Sequence, residues 1–264
     1  MALRPKDDFR KYVQQQLDLG YNEFHLPAAT RGASRTSTKA RIQRASNVTP
    51  LPFEKFSEAT SLDVLERTIE GCQNCRLGKT RTRFVFGIGN PQSDVMFVGE
   101  APGRDEDMQG KPFVGRAGKL LDKMLLESGM KREDVYITNV IKSRPPDNRD
   151  PLPDEIEACE PYLIAQIKII KPKIICSLGR VAAQTLLKTK MTLGEMRNRW
   201  FDYHGVKLMV TYHPAAILRN MSNYEISMED FDKLTEELKK IVGRVSGANE
   251  MSGETRQKRG HNKT

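Results

Sequence analysis

Short apolar runs alternate with amphipathic stretches through the middle of the chain. An apolar run of about four to eight residues is typical of a buried strand, whereas apolar residues at every third or fourth position are typical of a helix that packs on one face. This pattern predicts strands over 94–100, 135–141, 173–178 and 206–212, and helices over 61–70, 116–128, 154–170, 180–187 and 228–242. Because strands and helices alternate, we expect an α/β fold with a mostly parallel sheet that helices cover on both faces.

The predicted elements define one folded domain over 61–243, between an N-terminal extension (1–60) and a C-terminal tail (244–264). Most of the net charge of +9 lies in these two ends, because 1–60 carries ten basic and six acidic residues and 244–264 carries five and two. We expect both ends to be largely disordered, apart from a short helix over 8–20. The basic, Ser/Thr-rich run 30–47 is typical either of an arm that contacts phosphate groups or of a solvated linker.

The chain contains no apolar run of the roughly 18 residues that a membrane helix needs, and its N-terminus lacks the apolar region of a signal peptide. Four cysteines in 264 residues are also too few for a disulfide scaffold. These observations predict a protein of the reducing, cytoplasmic interior of the cell that does not bind membranes.

Polar blocks follow three of the predicted strands, at the edge where an α/β sheet usually carries its binding site. The first block runs from 99 to 118 and combines glycines, several carboxylates and one aromatic residue, Phe113. The second runs from 136 to 151 and includes Asn139, and the third, 212–219, begins with Tyr-His-Pro-Ala-Ala. Because the carboxyl ends of parallel strands lie together, we expect these blocks to form one pocket.

In order and spacing, the three blocks resemble the motifs of the family 4 uracil-DNA glycosylases, the iron–sulfur type, and the resemblance extends from about residue 62 to residue 219. It implies a three-layer α/β/α sandwich with a four-stranded parallel sheet. It also implies a monofunctional hydrolase that removes uracil from single- or double-stranded DNA in base-excision repair, and we expect a monomer. The alternatives are a non-catalytic module of the same fold, which binds uracil-containing or damaged DNA or accompanies a polymerase, and a zinc-stabilised protein that acts on another small ligand.

The resemblance assigns the uracil pocket to residues from all three blocks. Phe113 would stack on the base, unless it is an ordinary core residue, and Ala101 would also contact the base. Asn139 would accept a hydrogen bond from N3–H and donate one to O4, which distinguishes uracil from cytosine. His213, at the start of a predicted helix, would stabilise the negative charge that develops on O2 of the leaving uracil.

Several residues are candidates for positioning water and stabilising the sugar cation. In family 1 enzymes an aspartate stands at the place of Ala101, and this chain has no carboxylate there. The candidates are Glu100 and Glu106, with Asn148 to order the water.

Residues near the second and third blocks are expected to contact DNA. Arg144 and Arg219 are candidates for phosphate contacts. Either Ile217 or Leu218 would fill the space that a flipped base leaves in the duplex, although both could equally be core residues of the first helical turn.

Cys72 and Cys75 form a CxxC pair at the end of a predicted helix, and Cys159 lies on a helix face far along the chain. By itself such a pair is typical of structural zinc or a redox dithiol. The resemblance instead implies a structural [4Fe–4S] cluster with these three cysteines as ligands. At the fourth position of the family this chain has Ser143, so that either Ser143 or Cys176 is the fourth ligand, or the cluster has three thiolates, or it is absent.

Overall fold

The computed structural model describes residue 56 and residues 58–257, with side chains up to residue 243. The predicted helix over 8–20 and the basic run 30–47 lie outside the described residues. No helix within the described part of the chain is both long and apolar enough to cross a lipid bilayer. The cytoplasmic location and the domain boundaries stay predictions.

A sheet of six strands lies at the centre of the described fold. The strands are β1 (Ile88–Gly89), β2 (Val95–Gly99), β3 (Tyr136–Asn139), β4 (Ile174–Leu178), β5 (Phe201–Tyr203) and β6 (Val206–Thr211), and their spatial order is β1-β3-β2-β4-β6-β5. The four central strands pair in parallel, which confirms the predicted parallel sheet. β1 and β5 add an antiparallel strand at each edge, so that the expectation of four strands is corrected to six.

The two edge strands are too short to produce a periodic pattern in the sequence. β1 covers two residues and β5 covers three. A two-residue turn at His204 and Gly205 joins β5 to β6, and the φ angles of these residues are +52° and +79°. Two positive φ angles are typical of a type I′ hairpin, which a His-Gly pair indicates less clearly than Asn-Gly would.

Helices cover both faces of the sheet. Within the described residues they are α1 (Leu62–Ile69), α2 (Arg104–Gln109), α3 (Arg116–Glu127), α4 (Pro153–Ile170), α5 (Arg180–Leu187), α6 (Leu193–Met196), α7 (Pro214–Arg219) and α8 (Asn223–Gln257), with 3-10 turns at Arg76–Lys79 and Pro146–Asn148. The helices predicted over 61–70, 116–128, 154–170, 180–187 and 228–242 are present, as is the helix predicted to start at His213 (α7), and α2 and α6 are additional. The backbone of α8 extends beyond the predicted range 228–242 and continues to Gln257, within the predicted tail.

Side chains alternate along each strand and so divide the core into two layers. On β2, Met96 and Val98 belong to the layer that contains α1, α4 and α5, which we call the α4 layer. Val95 and Phe97 belong to the layer that contains α3, α7 and α8, which we call the α3 layer. The predicted three-layer α/β/α sandwich is confirmed, and its parallel strands all end at the same edge.

Candidate functional site

A cavity of about 680 Å³ lies at the edge where the four parallel strands end. Each strand contributes a residue at or just beyond its end: Glu100 from β2, Asn139 from β3, Gly179 from β4 and His213 from β6. Phe113, from the loop between α2 and α3, forms a further part of the wall. The pocket predicted from the three polar blocks is therefore present.

The side chain of Asn139 is buried, and its Oδ1 atom accepts no hydrogen bond from any described residue. A buried carbonyl oxygen without a donor costs about 1–3 kcal/mol, so such an atom on a cavity wall indicates a site for a ligand N–H. The wall is tightly packed here, because a Cβ on Gly99 would lie 2.4 Å from Oδ1 and 2.7 Å from Cζ of Phe113. Glycine at position 99 leaves room beside the strand for both the amide and the aromatic ring.

Phe113 is buried and has a φ angle of +51°, which is unusual for a residue with a bulky side chain. Two contacts hold this backbone. Oε1 of Glu106 accepts hydrogen bonds from the N–H groups of Val114 and Gly115, at 2.9 and 3.1 Å. The carbonyl oxygen of Phe113 lies so near Gly118 that a Cβ there would be 1.8 Å away. Glu106, a candidate catalytic carboxylate in the sequence, therefore anchors the loop that presents the ring.

His213 caps the N-terminus of α7, where its Nδ1 accepts a hydrogen bond from the N–H of Ala215 at 3.1 Å. Because Nδ1 is the acceptor, the neutral ring carries its proton on Nε2. Burial, followed by the charge of Arg219, lowers the pKa of His213 to about 4, so the ring is neutral at neutral pH. The ring centroid lies 5.4 Å from that of Phe113, and a Cβ on Gly179 would lie 2.8 Å from the Cβ of His213. The cavity wall thus includes a fixed, uncharged N–H donor.

Glu100 is half-buried on the cavity wall. Burial, followed by the negative charge of Asp150, raises the pKa of Glu100 to about 7, while the charge of Arg180 acts in the opposite direction. The carboxyl group therefore changes its charge near neutral pH, as the acids and bases of active sites often do. Asp150 and Arg180 line the same cavity, and sequence analysis missed both. Arg180 lies just after β4, so the rule that sites form at strand ends could have found it.

The loop after β3 forms part of the rim of the cavity. Nε of Arg144 donates a hydrogen bond to Oδ1 of Asn148 at 2.7 Å. Arg149 donates two hydrogen bonds to the buried carboxylate of Glu155, at 2.6 and 2.8 Å, and Glu155 also accepts one from the N–H of Leu152. The predicted residue Asn148 thus lies on the rim with Arg144 hydrogen-bonded to it, and Arg149, which sequence analysis missed, ties the rim to α4.

The two candidate wedge residues on α7 have different environments. Ile217 is fully buried in the α3 layer, whereas Leu218 is 42 % exposed. Ile217 is therefore corrected from a candidate wedge to a core residue, because neighbouring residues on a helix point about 100° apart and the inner one packs on the sheet. Ala101 and Arg219 line the cavity.

Three of the four cysteines lie in the α4 layer. Cys72 and Cys159 are buried there, and Cys75 packs against the same layer. Cys176 is buried in the α3 layer, on the opposite face of the sheet. Because the sheet separates it from the other three, Cys176 is excluded as a fourth ligand of a shared metal group.

The sulfur atoms of two of these cysteines have hydrogen-bond donors. Sγ of Cys72 accepts hydrogen bonds from the hydroxyl of Tyr162 at 3.0 Å and from the N–H of Asn74 at 3.4 Å. Sγ of Cys159 accepts one from the N–H of Lys142 at 3.2 Å. Hydrogen bonds to sulfur tune iron–sulfur clusters and orient metal ligands, so these contacts suit cysteines that hold a cluster.

Burial raises the pKa of Cys159 to about 12 and also raises the pKa of Cys75. Such thiols ionise when a positively charged metal centre compensates for burial. Among the described residues, no group of three or more His, Cys, Asp or Glu side chains is arranged so that it could hold a metal ion. In a cluster each iron takes one thiolate, so the cysteines that hold a cluster can lie farther apart than the ligands of a single metal ion. Near these cysteines, Oγ of Ser143 accepts a hydrogen bond from Arg81 at 3.2 Å.

Known proteins resemble this chain across most of the described fold. A family model described as the uracil DNA glycosylase superfamily matches residues 86–239. The type-4 uracil-DNA glycosylase of Archaeoglobus fulgidus is 47 % identical over 184 residues, which is 67 % of this chain and 92 % of that protein. The type-4 uracil-DNA glycosylase of Thermotoga maritima is 44 % identical over 189 residues, which is 70 % of this chain and 98 % of that protein. A DNA polymerase of Bacillus phage SP01 is 34 % identical over 150 residues, which is 56 % of this chain and 16 % of the polymerase.

Proposed function

Because the chain belongs to the uracil DNA glycosylase superfamily, we propose that it removes uracil from DNA by hydrolysing the N-glycosidic bond and leaves an abasic site. The observation that carries this proposal is the buried Oδ1 of Asn139, for which the described residues offer no donor. It lies in a cavity wall that also includes the ring of Phe113 and the neutral ring of His213. These groups suit, in turn, the edge of a uracil base, its face, and the oxygen that gains charge as the base leaves.

Asn139 and Phe113 support the selection of uracil after the base has flipped into the cavity. Uracil presents an N3–H donor beside the O4 acceptor, whereas cytosine presents an acceptor beside an amino donor. Oδ1 of Asn139 can accept from N3–H, and the amide nitrogen of the same side chain can donate to O4. Phe113 supports stacking on the base, and Ala101 supplies a small apolar part of the wall.

His213 supports the departure of the base. As the glycosidic bond breaks, negative charge develops on O2 of uracil and positive charge develops on the sugar. An N–H donor that is already fixed in a site with little water stabilises the developing charge without having to reorganise. The low pKa of His213 means that the donor is a neutral imidazole, so the ring keeps its proton as the uracil anion leaves.

Glu100 supports the attack of water on the sugar. In its ionised form the carboxylate can take up a proton from water and stabilise the cationic sugar. Asn148, on the rim, is proposed to order this water. Glu106 is proposed to support the reaction indirectly, because its Oε1 is engaged by two backbone N–H groups of the loop that carries Phe113.

Positively charged and apolar side chains near the cavity support DNA binding. Arg219 is exposed and lines the cavity, and the half-buried Arg144 is hydrogen-bonded to the lining residue Asn148, so both can contact phosphate groups. Leu218 is the exposed apolar residue that can fill the gap left by a flipped base in a duplex. We propose that the chain acts as a monomer on both single- and double-stranded DNA.

The cysteines of the α4 layer support an iron–sulfur cluster. We propose that Cys72, Cys75 and Cys159 hold a [4Fe–4S] cluster, which when bound would supply a structural crosslink between the segment after α1 and helix α4. Ser143 is the candidate for the fourth position, since it follows Lys142, whose N–H donates to Cys159. A serine oxygen is a harder ligand than a thiolate, so we expect the iron at that position to be the most labile.

The proposal is tested with a labelled oligonucleotide that carries one uracil. After incubation with the purified protein, alkali cleaves the strand at each abasic site. We expect cleavage by the wild-type protein and a loss of about 100-fold or more in rate for Asn139→Ala and His213→Ala. His204→Ala changes a histidine in the β5–β6 turn and should retain the wild-type rate. If folded wild-type protein binds uracil-containing DNA but produces no abasic sites, the hydrolase is excluded and the binding module of the same fold remains.

A further inference from the structure

A buried polar network lies behind the end of β3, within the α4 layer. At its centre is Lys142, whose side chain is fully buried. Its ammonium group donates to Oγ1 of Thr138 at 2.6 Å, to the carbonyl oxygen of Asn139 at 2.8 Å and to Oε1 of Gln166 at 2.7 Å. Burial lowers the pKa of Lys142 to about 7. In the protonated form its three N–H groups have three acceptors, and none of these acceptors is a carboxylate.

Further hydrogen bonds fix two of these acceptors. Oγ1 of Thr138 donates to the carbonyl oxygen of Phe86 at 2.8 Å. Nε2 of Gln166 donates to the same carbonyl oxygen at 3.0 Å and to the hydroxyl of Tyr136 at 3.1 Å. The network therefore joins β3, the segment before β1 and helix α4. A buried network in which each member is satisfied makes its region rigid, so it restricts Lys142 to one position.

The carbonyl of Asn139 depends on this donor because of the shape of the sheet. β1 pairs with Tyr136 and Ile137, so no strand of the described part of the chain neighbours this edge of β3 at Asn139. A buried carbonyl at such an edge needs a hydrogen bond from elsewhere. Lys142 supplies this bond in place of a neighbouring strand.

The backbone carbonyl of Asn139 is bound from the α4 layer, whereas its side chain lies at the cavity. Consecutive residues of a strand point to opposite faces, so Thr138 turns towards the network while Asn139 turns towards Gly99 and Phe113 at the cavity. The ammonium of Lys142 therefore holds the backbone of Asn139 from behind the sheet. Hydrogen bonds weaken steeply with distance and angle, so a displaced backbone would move Oδ1 out of register with a bound base.

We propose that Lys142 is a positioning residue for base recognition, which acts through Asn139 and does not itself contact the base. This inference rests on the proposed function, because it takes Asn139 as the residue that binds uracil. It gives the buried ammonium a role in substrate selection in addition to its contribution to the core. Through Gln166, it also makes the position of the recognition amide depend on helix α4, which carries Cys159.

A double-mutant cycle tests the inference. Lys142→Met keeps the apolar stem and removes the ammonium. We expect it to lower kcat/KM for a uracil-containing oligonucleotide by about 10- to 100-fold in the otherwise wild-type chain, and by less than about threefold in a chain that already carries Asn139→Ala. In the otherwise wild-type chain, Lys142→Met should lower the affinity for free uracil by a similar factor of about 10- to 100-fold. Its affinity for abasic-site DNA should stay within about twofold of the wild-type value. Lys188→Met, which removes a lysine that pairs with Glu160 away from the cavity, should change none of these values.

Equal losses in the two backgrounds would overturn the inference, and so would parallel losses of affinity for uracil and for abasic-site DNA. If circular dichroism shows that Lys142→Met does not fold, Thr138→Val removes one acceptor and takes its place in the same cycle. If the wild-type protein prefers uracil-containing DNA but does not cleave it, the proposed function fails, and the cycle is measured on that binding preference instead. If the wild-type protein shows no preference for uracil, both proposals are wrong.

Discussion

At the scale of single residues, the environment determines which chemistry a side chain can perform. Burial raises the pKa of Glu100 to about 7 and lowers the pKa of His213 to about 4. The two shifts have opposite signs because each favours the uncharged form of its group. The cavity can therefore receive a neutral base without a fixed charge on the histidine, while the glutamate becomes charged near neutral pH.

The pH dependence of the reaction follows from Glu100. If its carboxylate activates water, kcat/KM rises with pH until about 7 and then becomes constant, since ionisation is complete above the pKa. His213 adds no step near neutral pH, because its pKa of about 4 lies below that range. Glu100→Gln should remove the rise and lower the plateau by about 10- to 100-fold. A pH–rate profile of both proteins checks this, and a rise that persists in Glu100→Gln would contradict the assignment.

Sequence analysis predicted which residues line the cavity better than it predicted which way each side chain points. Asn139 and His213 were predictable, since each stands where a parallel strand ends and such ends share one edge of a sheet. The choice between Ile217 and Leu218 was not predictable from the pattern, because both are apolar and packing alone decides which of two helical neighbours faces the core. Arg149 was missed because its role depends on a contact with Glu155, which lies on the next helix.

At the scale of elements, two carboxylates of the first polar block, Glu106 and Asp107, hold backbone segments in place. The sequence predicted a polar turn here, and the structure has helix α2 instead. Oδ1 of Asp107 accepts hydrogen bonds from the N–H groups of Thr82 and Arg83. Oε1 of Glu106 accepts hydrogen bonds from those of Val114 and Gly115. A carboxylate that binds backbone N–H groups and one that activates water look alike in a sequence, so the pattern could not separate these roles.

Substitutions at Glu106 distinguish an anchor from a catalytic group. Glu106→Gln retains a side-chain oxygen that can accept from Val114 and Gly115, so we expect kcat/KM within about threefold of the wild-type value. Glu106→Ala removes the acceptor and should lower kcat/KM by about 10-fold or more, because the loop that carries Phe113 loses its support. Steady-state kinetics on a uracil-containing oligonucleotide measure both. A Glu106→Gln protein as impaired as Glu106→Ala would indicate a catalytic carboxylate.

Only some of the strands could be predicted from the sequence. The four parallel strands were predictable because strands that are buried on both faces are continuous apolar runs. β1 and β5 were missed because each is too short to show a pattern, and the turn before β6 uses His204-Gly205.

At the scale of the whole molecule, the sheet separates the proposed cluster ligands from Phe113 and Cys176. The proposed cluster ligands lie in the α4 layer, whereas Phe113 belongs to the α3 layer. Sequence analysis could not exclude Cys176 as a ligand, because that exclusion depends on which face of the sheet each of the four cysteines lies on. The alternation of side chains on β4 supplies that answer, because it turns Cys176 away from the other three.

This separation makes the cysteines a direct test of the cluster proposal. Cys159→Ala should reduce the iron content and the visible absorbance of the purified protein and lower its melting temperature, because a cluster ligand and a crosslink are lost. Cys176→Ala should retain the wild-type iron content and lose about 1 kcal/mol of stability through the small cavity that it leaves. Iron quantitation and thermal unfolding measure these effects. Equal loss of iron in the two variants would contradict the assignment.

The alternation along β3 also limits where the chain can change its length. The gain or loss of one residue next to Asn139 would turn its amide into the α4 layer and bring a neighbouring side chain into the cavity. The β5–β6 turn carries no comparable constraint, because it lies at an edge of the sheet away from the cavity. We therefore expect insertions and deletions to be tolerated in that turn, while the spacing from Tyr136 to Lys142 stays constant in every active form of the protein.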